Sequence, residues 1–135
     1  MSARASTSST TRSGSRPTPS TSRAATFASS YRTGLDLIRR GEFFAAHEEL
    51  ELAWRAAEDT ERDFYQGLVH VTVAWYQAER GNRIGCERQL AKAARRLSAY
   101  APAHRGVDVA DVLAQVQAAQ AIVSGGSLEL PQPRI

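Results

Sequence analysis

An imidazole and a carboxylate stand four residues apart at His47 and Glu51, within the run Phe43-Phe44-Ala45-Ala46-His47-Glu48-Glu49-Leu50-Glu51-Leu52-Ala53-Trp54. On a helix that spacing puts both groups on one face with neighbouring aromatics, close enough to bond. Gln66 and His70 show the same spacing further along. If the two helices pack antiparallel, His47, Glu48, Glu51, Gln66 and His70 form a candidate buried polar cluster. Its flanking core would be Phe43, Phe44, Trp54, Gly67 and Trp75.

Three chemistries suit such a cluster. A carboxylate in an apolar seam needs partners, which an imidazole and an amide supply, and a network of that kind sets helix register without reacting. Alternatively, His47, Glu51 and His70, with Glu48 beside them, are the residue types that hold a divalent metal in a helical bundle, as a metal-dependent hydrolase would. The paired Glu-x-x-His of di-iron bundles is absent, however, and His-Glu-x-x-Glu is not the zinc-protease pattern. The third chemistry is general acid–base catalysis by His47 with Glu51 orienting it. The structural network is the simplest of the three, so no cofactor is expected and the balance is against an enzyme. Cys86, among apolar neighbours, reads as an inert thiol, and His104, beside Pro102, as a surface residue. Phosphate loops, dinucleotide fingerprints and Cys/His fingers are missing from the sequence.

The elements that must position these residues are helices. Phe27, Tyr31, Leu35 and Ile38 recur every three to four residues, and Arg39-Arg40-Gly41 closes the stripe with two cations and a helix-stopping glycine. The pattern predicts helices over about 27–40, 42–57, 61–80, 83–100 and 107–124, the third starting from Thr60 as N-cap and being apolar around most of its girth. Gly67 suits a close helix–helix approach. Residues 127–135, with Leu128-Glu129-Leu130-Pro131, read as an extended C-terminal strap. A shift of 40 residues aligns Arg40-Gly41 with Arg80-Gly81, Leu50 with Leu90 and Ala53 with Ala93. The expected architecture is therefore an all-α, five-helix array of hairpins resembling stacked helical repeats.

Ahead of it, residues 1–26 are, after Met1, Ser, Thr, Arg, Pro, Gly and Ala without apolar pattern, which predicts a disordered tail. The net charge of +3 comes from this end: residues 1–35 carry five Arg and no acid, whereas residues 36–135 carry twelve bases against fourteen acids. A basic nucleic-acid face is therefore not expected on the domain, and association with nucleic acid is expected only non-specifically through the tail. One cysteine excludes an internal disulfide and a four-Cys zinc site. No membrane span or secretory signal is expected, and the location is read as cytoplasmic. The Arg-rich, acid-free start also fits organellar import, but lacks the amphipathic helix such a segment uses.

The blocks Arg40-Gly41-Glu42-Phe43-Phe44-Ala45-Ala46-His47-Glu48, Leu50-Glu51 and Trp54, then Glu61-Arg62-Asp63-Phe64, Gln66-Gly67-Leu68-Val69 and Arg80-Gly81-Asn82, resemble the domain-of-unknown-function family numbered 309 across roughly residues 30 to 125. The resemblance implies a compact five-helix fold with no established activity. It also implies that His47, Glu48, Glu51, Trp54, Gln66 and Gly67 occupy the family's motif positions. Ala45 stands where the family usually has Glu, and His70 where it usually has Gln. The partner most in keeping with these features is a protein, a peptide or a second copy of the chain.

Overall fold

The computed structural model describes the backbone over residues 19–135 and the side chains over residues 28–135. Residues 1–18 lie outside the described residues, and with them most of the expected tail and its association with nucleic acid. Within these bounds the chain is all-α: α1 (Pro19–Arg39), α2 (Phe43–Ala56), α3 (Asp59–Glu79), α4 (Arg83–Leu97) with a 3-10 turn at Ser98–Tyr100, and α5 (Val109–Ser124). The β pairing among the described residues is one isolated bridge between His104 and Val107.

The starts of α1, α3 and α5 depart from those the periodicity predicts. Helix α1 begins at Pro19, well before Phe27, because proline suits the first helical position and Ser, Thr and Ala can continue a helix without an apolar stripe. Helix α3 starts at Asp59, with extended Glu58 as its N-cap and Asp59 and Glu61 in the first turn; Thr60 lies inside the helix. Helix α5 starts at Val109, capped by the Asp108 side chain accepting from the Asp111 amide at 3.0 Å.

The two Arg-Gly turns close with the same hydrogen bonds. Gly41 (φ 77°) donates to Ile38 and Glu42 to Leu37; Gly81 (φ 75°) donates to Ala78 and Asn82 to Gln77. This is the helix-ending motif for which glycine is favoured, since φ is positive at the crossover residue. It turns the chain sharply, so α2 folds back on α1 and α4 folds back on α3. Helix α3 lies between α2 and α4, while α5 packs on α4. Fully buried Phe64, Tyr65, Leu68 and Ala74 of α3 sit in one core with Leu50 of α2, Leu90 and Leu97 of α4 and Val116 of α5.

Glycine permits the closest approach in both hairpins. A Cβ on Gly34 would fall 2.7 Å from Leu50 Cγ, and one on Gly67 would fall 2.6 Å from Leu97 Cγ. Leu97 is sealed in the core and cannot swing aside. Gly67→Ala should therefore lose about 1–2 kcal/mol net, overpacking of about 1–3 kcal/mol being partly offset by alanine's better helix propensity. Urea titration of the two proteins checks this; an unchanged or raised midpoint would show that the hairpin can open to admit a methyl group.

The strap lies along the bundle. Trp75 Nε1 donates to the Pro131 carbonyl at 2.8 Å, and Gln132 Nε2 donates to the Ile38 carbonyl at 2.7 Å. Gln115 on α5 bonds the Arg134 backbone twice, accepting from its N–H at 2.7 Å and donating to its carbonyl at 2.8 Å. Leu128, Leu130 and Ile135 rest partly buried on the core, and Pro133 is buried.

Candidate functional site

Helix α2 buries Phe43, Ala46, Leu50 and Ala53, and that stripe rotates Phe44, His47 and Glu51 to its edge. His47 Nε2 lies 3.2 Å from Glu51 Oε2, and Glu51 Oε1 lies 3.6 Å from an Arg55 nitrogen, so the three groups run in single file up one helix. The imidazole and carboxylate side chains are 25% and 34% exposed: half-buried, not core groups. The Phe44 ring sits 5.8 Å from the His47 ring and 5.5 Å from Tyr76. Together Phe44, His47, Val73, Tyr76 and Gln77 line a pocket of ≈ 170 Å³ between α2 and α3. Its far rim is fixed by Arg80 over the Tyr76 ring at 5.6 Å and by Asn82 donating to Gln77 Oε1 at 3.0 Å.

His70 faces the other way. Its Nδ1 lies 2.7 Å from Gln89 Oε1 on α4, and since an amide oxygen only accepts, Nδ1 carries the proton. Nε2 is then a bare lone pair, buried without a hydrogen-bond partner. Burial holds the imidazole below the usual histidine range; the Gln89 bond opposes this, while the charges of Lys92, Arg96 and Arg95 add to it. The sign of the linkage follows from that depression. Below the ordinary value of 6.5 the unfolded chain takes up a proton that the folded chain refuses until its own lower value is reached, so stability falls as pH drops through that window. Denaturation midpoints between pH 7.5 and 5 should decline less in His70→Gln than in the parent; parallel curves would show that His70 is not the group responsible.

The polar residues therefore do not converge into one buried cluster. His47 pairs with Glu51 along α2, His70 pairs with Gln89 across α3 and α4, half-buried Gln66 makes no described bond to either histidine, and Glu48 is exposed. The reason is satisfaction close at hand: Arg55 and His47 already serve Glu51 from its own helix. No group of three or more His, Cys, Asp or Glu able to hold a metal ion occurs among the described residues. Cys86 is buried on α4, and burial pushes its thiol up. Among the flanking residues Phe43, Gly67 and Trp75 are buried as expected. Phe44 is instead 52% exposed. Trp54 is half-buried under Arg62, whose guanidinium lies 4.9 Å from the ring centre, and its indole N–H is buried without an acceptor.

A second polar constellation escapes sequence reasoning. Glu61 Oε1 lies 2.7 Å from both His104 Nε2 and Arg105 Nε, and these two bonds, Arg105 first, hold the carboxyl below its ordinary value. His104 is thus no simple surface residue: it packs 4.7 Å from the Phe64 ring and 4.8 Å from Tyr100. Tyr31 Oη donates to the Arg105 carbonyl at 2.9 Å, and Tyr100 Oη donates to the Thr60 carbonyl at 2.8 Å. Arg105 and Gly106 hold positive φ (48° and 81°), which turns the loop back on itself. Every polar atom named here faces a protein partner, so the arrangement is a clamp. Gly106 was the one signal of it in the sequence.

Residues 31–89 match the model of a family described as a domain of unknown function (DUF309), which bears out the resemblance over that stretch. No curated protein and no solved structure matches the chain. The matched residues take in the pocket, the His47–Glu51 pair and the His70–Gln89 pair, and stop short of the His104 loop and the strap.

Proposed function

With a family lacking any assigned activity as the premise, we propose that this domain is a protein-interaction module whose pocket between α2 and α3 receives an apolar side chain of a partner. One observation carries the reading: Phe44 is 52% exposed on the pocket wall, whereas Phe43 and Phe64 are buried. A large aromatic left half in water beside a concave apolar surface is what a docking site presents. On the α2 side Glu48 and Glu51 flank the pocket with Arg55, and Arg80 is the cation on the opposite rim. The two carboxylates favour a partner whose apolar anchor is bordered on that side by Lys or Arg. His47 lines the pocket and Glu51, one turn further along α2, holds its ring, so the pair acts as a recognition element.

Selection of a random peptide library on the immobilised full chain tests this. Enriched peptides should carry an aromatic or long aliphatic residue next to a basic one. Phe44→Ser should weaken them at least ten-fold while leaving the helical circular dichroism unchanged, because an exposed ring contributes little to folding. No enrichment, or enriched peptides indifferent to both Phe44→Ser and Tyr76→Ala, would sink the proposal.

A further inference from the structure

The contacts of the strap are of a distinctive kind. Gln115 reads the N–H and the carbonyl of residue 134, and Trp75 reads the carbonyl of residue 131. These bonds recognise extended backbone rather than side-chain identity, and an aromatic-lined groove is a recurrent means of holding extended, proline-containing segments. Sequence preference comes from what lies between them: partly buried Leu128 and Leu130, buried Pro133, and Arg134 within 3.1 Å of Asp111.

The fit is incomplete. A cavity of ≈ 100 Å³ remains beside Leu128, Leu130 and Gln132, and another of ≈ 150 Å³ beside Pro131 and Arg134. Trp75 borders both, so the strap crosses a longer groove than it fills. Both cavities are open to solvent, so the strap leaves uncovered room on either side of Trp75. Its base is suited to pivoting: Gly126 holds φ 98° with nothing within 4 Å of where a Cβ would stand. Ser127, Glu129, Pro131, Gln132 and Arg134 are all exposed. The strap is held by polar bonds at Pro131, Gln132 and Arg134 while most of its residues face solvent, and a segment held at a few points can open locally.

We infer that the surface under the strap is a docking groove for an extended, proline-containing segment of a partner protein, with the pattern apolar-x-apolar-Pro-x-Pro-Arg, and that the strap is its occupant in cis. The residual cavities admit side chains larger than those of the strap, so a partner segment gains contacts that the strap forgoes. Competition is set by tethering: a strap on a short linker acts at an effective concentration on the order of millimolar, so the groove opens only to a ligand that binds better or to a weakened strap. This groove shares no lining residue with the Phe44 pocket except through the rim of α3, and the two readings stand or fall separately.

The test uses the full chain and a fluorescently labelled synthetic peptide with the sequence of residues 126–135. Wild-type protein should bind it weakly. Gln132→Ala combined with Arg134→Ala loosens the strap without touching the groove walls, and should tighten peptide binding at least ten-fold, with the Trp75 indole N–H resonance shifting on titration. Adding Gln115→Ala should return the affinity to the wild-type level or below. Gln115→Met, which keeps the size and adds no charge beside Asp111, should act in the same direction, so misfolding of one variant does not decide the matter. Phe44→Ser should change none of these affinities. Equal binding to wild type and the loosened variant, equal binding of a scrambled peptide, or indifference to both Gln115 changes would overturn the inference. A wild-type dimer that the peptide dissociates would also overturn it, giving the groove to a second copy of the chain.

Discussion

Phe64→Ala should destabilise the domain by about 3–5 kcal/mol, the range for removing a large aromatic from a sealed site. Phe64 is fully buried, and its ring meets Tyr31 at 6.2 Å, Tyr65 at 5.2 Å, Tyr100 at 5.5 Å and His104 at 4.7 Å. It therefore joins α1, α3 and the loop before α5 in one aromatic knot. A cavity there would loosen the Glu61 clamp as well, since His104 is held against the ring it would lose. A small domain has a total stability of roughly 5–15 kcal/mol, so the variant should melt on the order of 15 °C or more below the parent, or fold incompletely. Differential scanning calorimetry measures this directly. A fall of only a few degrees would mean that the rings collapse onto the vacancy and that the knot is not a unit.

The second large effect is expected at Trp75, which is 4% exposed and packs under the strap. Trp75→Ala removes a bulky core group together with the donor to Pro131, and should cost about 3–5 kcal/mol. Trp75→Phe separates the two contributions: most of the packing stays and the hydrogen bond goes, a loss of about 1 kcal/mol because the exposed Pro131 carbonyl can turn to water. Hydrogen exchange gives the sharper contrast. The Phe variant should speed exchange of the Arg134 amide, whose N–H bonds Gln115, while the α2 amides stay protected. Equal acceleration everywhere would show that the strap is an integral part of the core.

What the sequence revealed follows from which interactions are periodic. Helices α2, α3 and α4 were legible because Leu50, Leu68 and Leu90 belong to stripes whose spacing survives without any knowledge of the partner. The Arg-Gly turns were legible because only positive φ explains Gly41 and Gly81 at those places. The start of α1 was not, since Pro19 to Thr26 offer no stripe and helicity there rests on backbone preference alone.

The candidate site was half legible. Helical geometry alone brings His47 to Glu51, and their pairing was expected. Whether His70 turns towards α2 or α4 depends on how α3 is rotated about its own axis, which spacing cannot specify. The Glu61 clamp was out of reach for a different reason: its members are 43 and 44 residues apart, and nothing local connects a first-turn glutamate with a histidine in a later loop. Exposure of Phe44 was likewise invisible, because adjacent Phe43 and Phe44 cannot both enter one stripe and the sequence does not say which yields.

The bond between Trp75 and Pro131 spans 56 residues, and it bears on how the protein is made. A ribosome adding roughly 5–20 residues per second delivers Pro131 several seconds after the indole. For most of that interval Trp75 lacks both the strap and its α5 neighbours Ala114 and Gln115, and its indole is open to whatever chaperone or neighbouring nascent chain is at hand. The newborn chain thus shows this side chain before either wall that will cover it has been made.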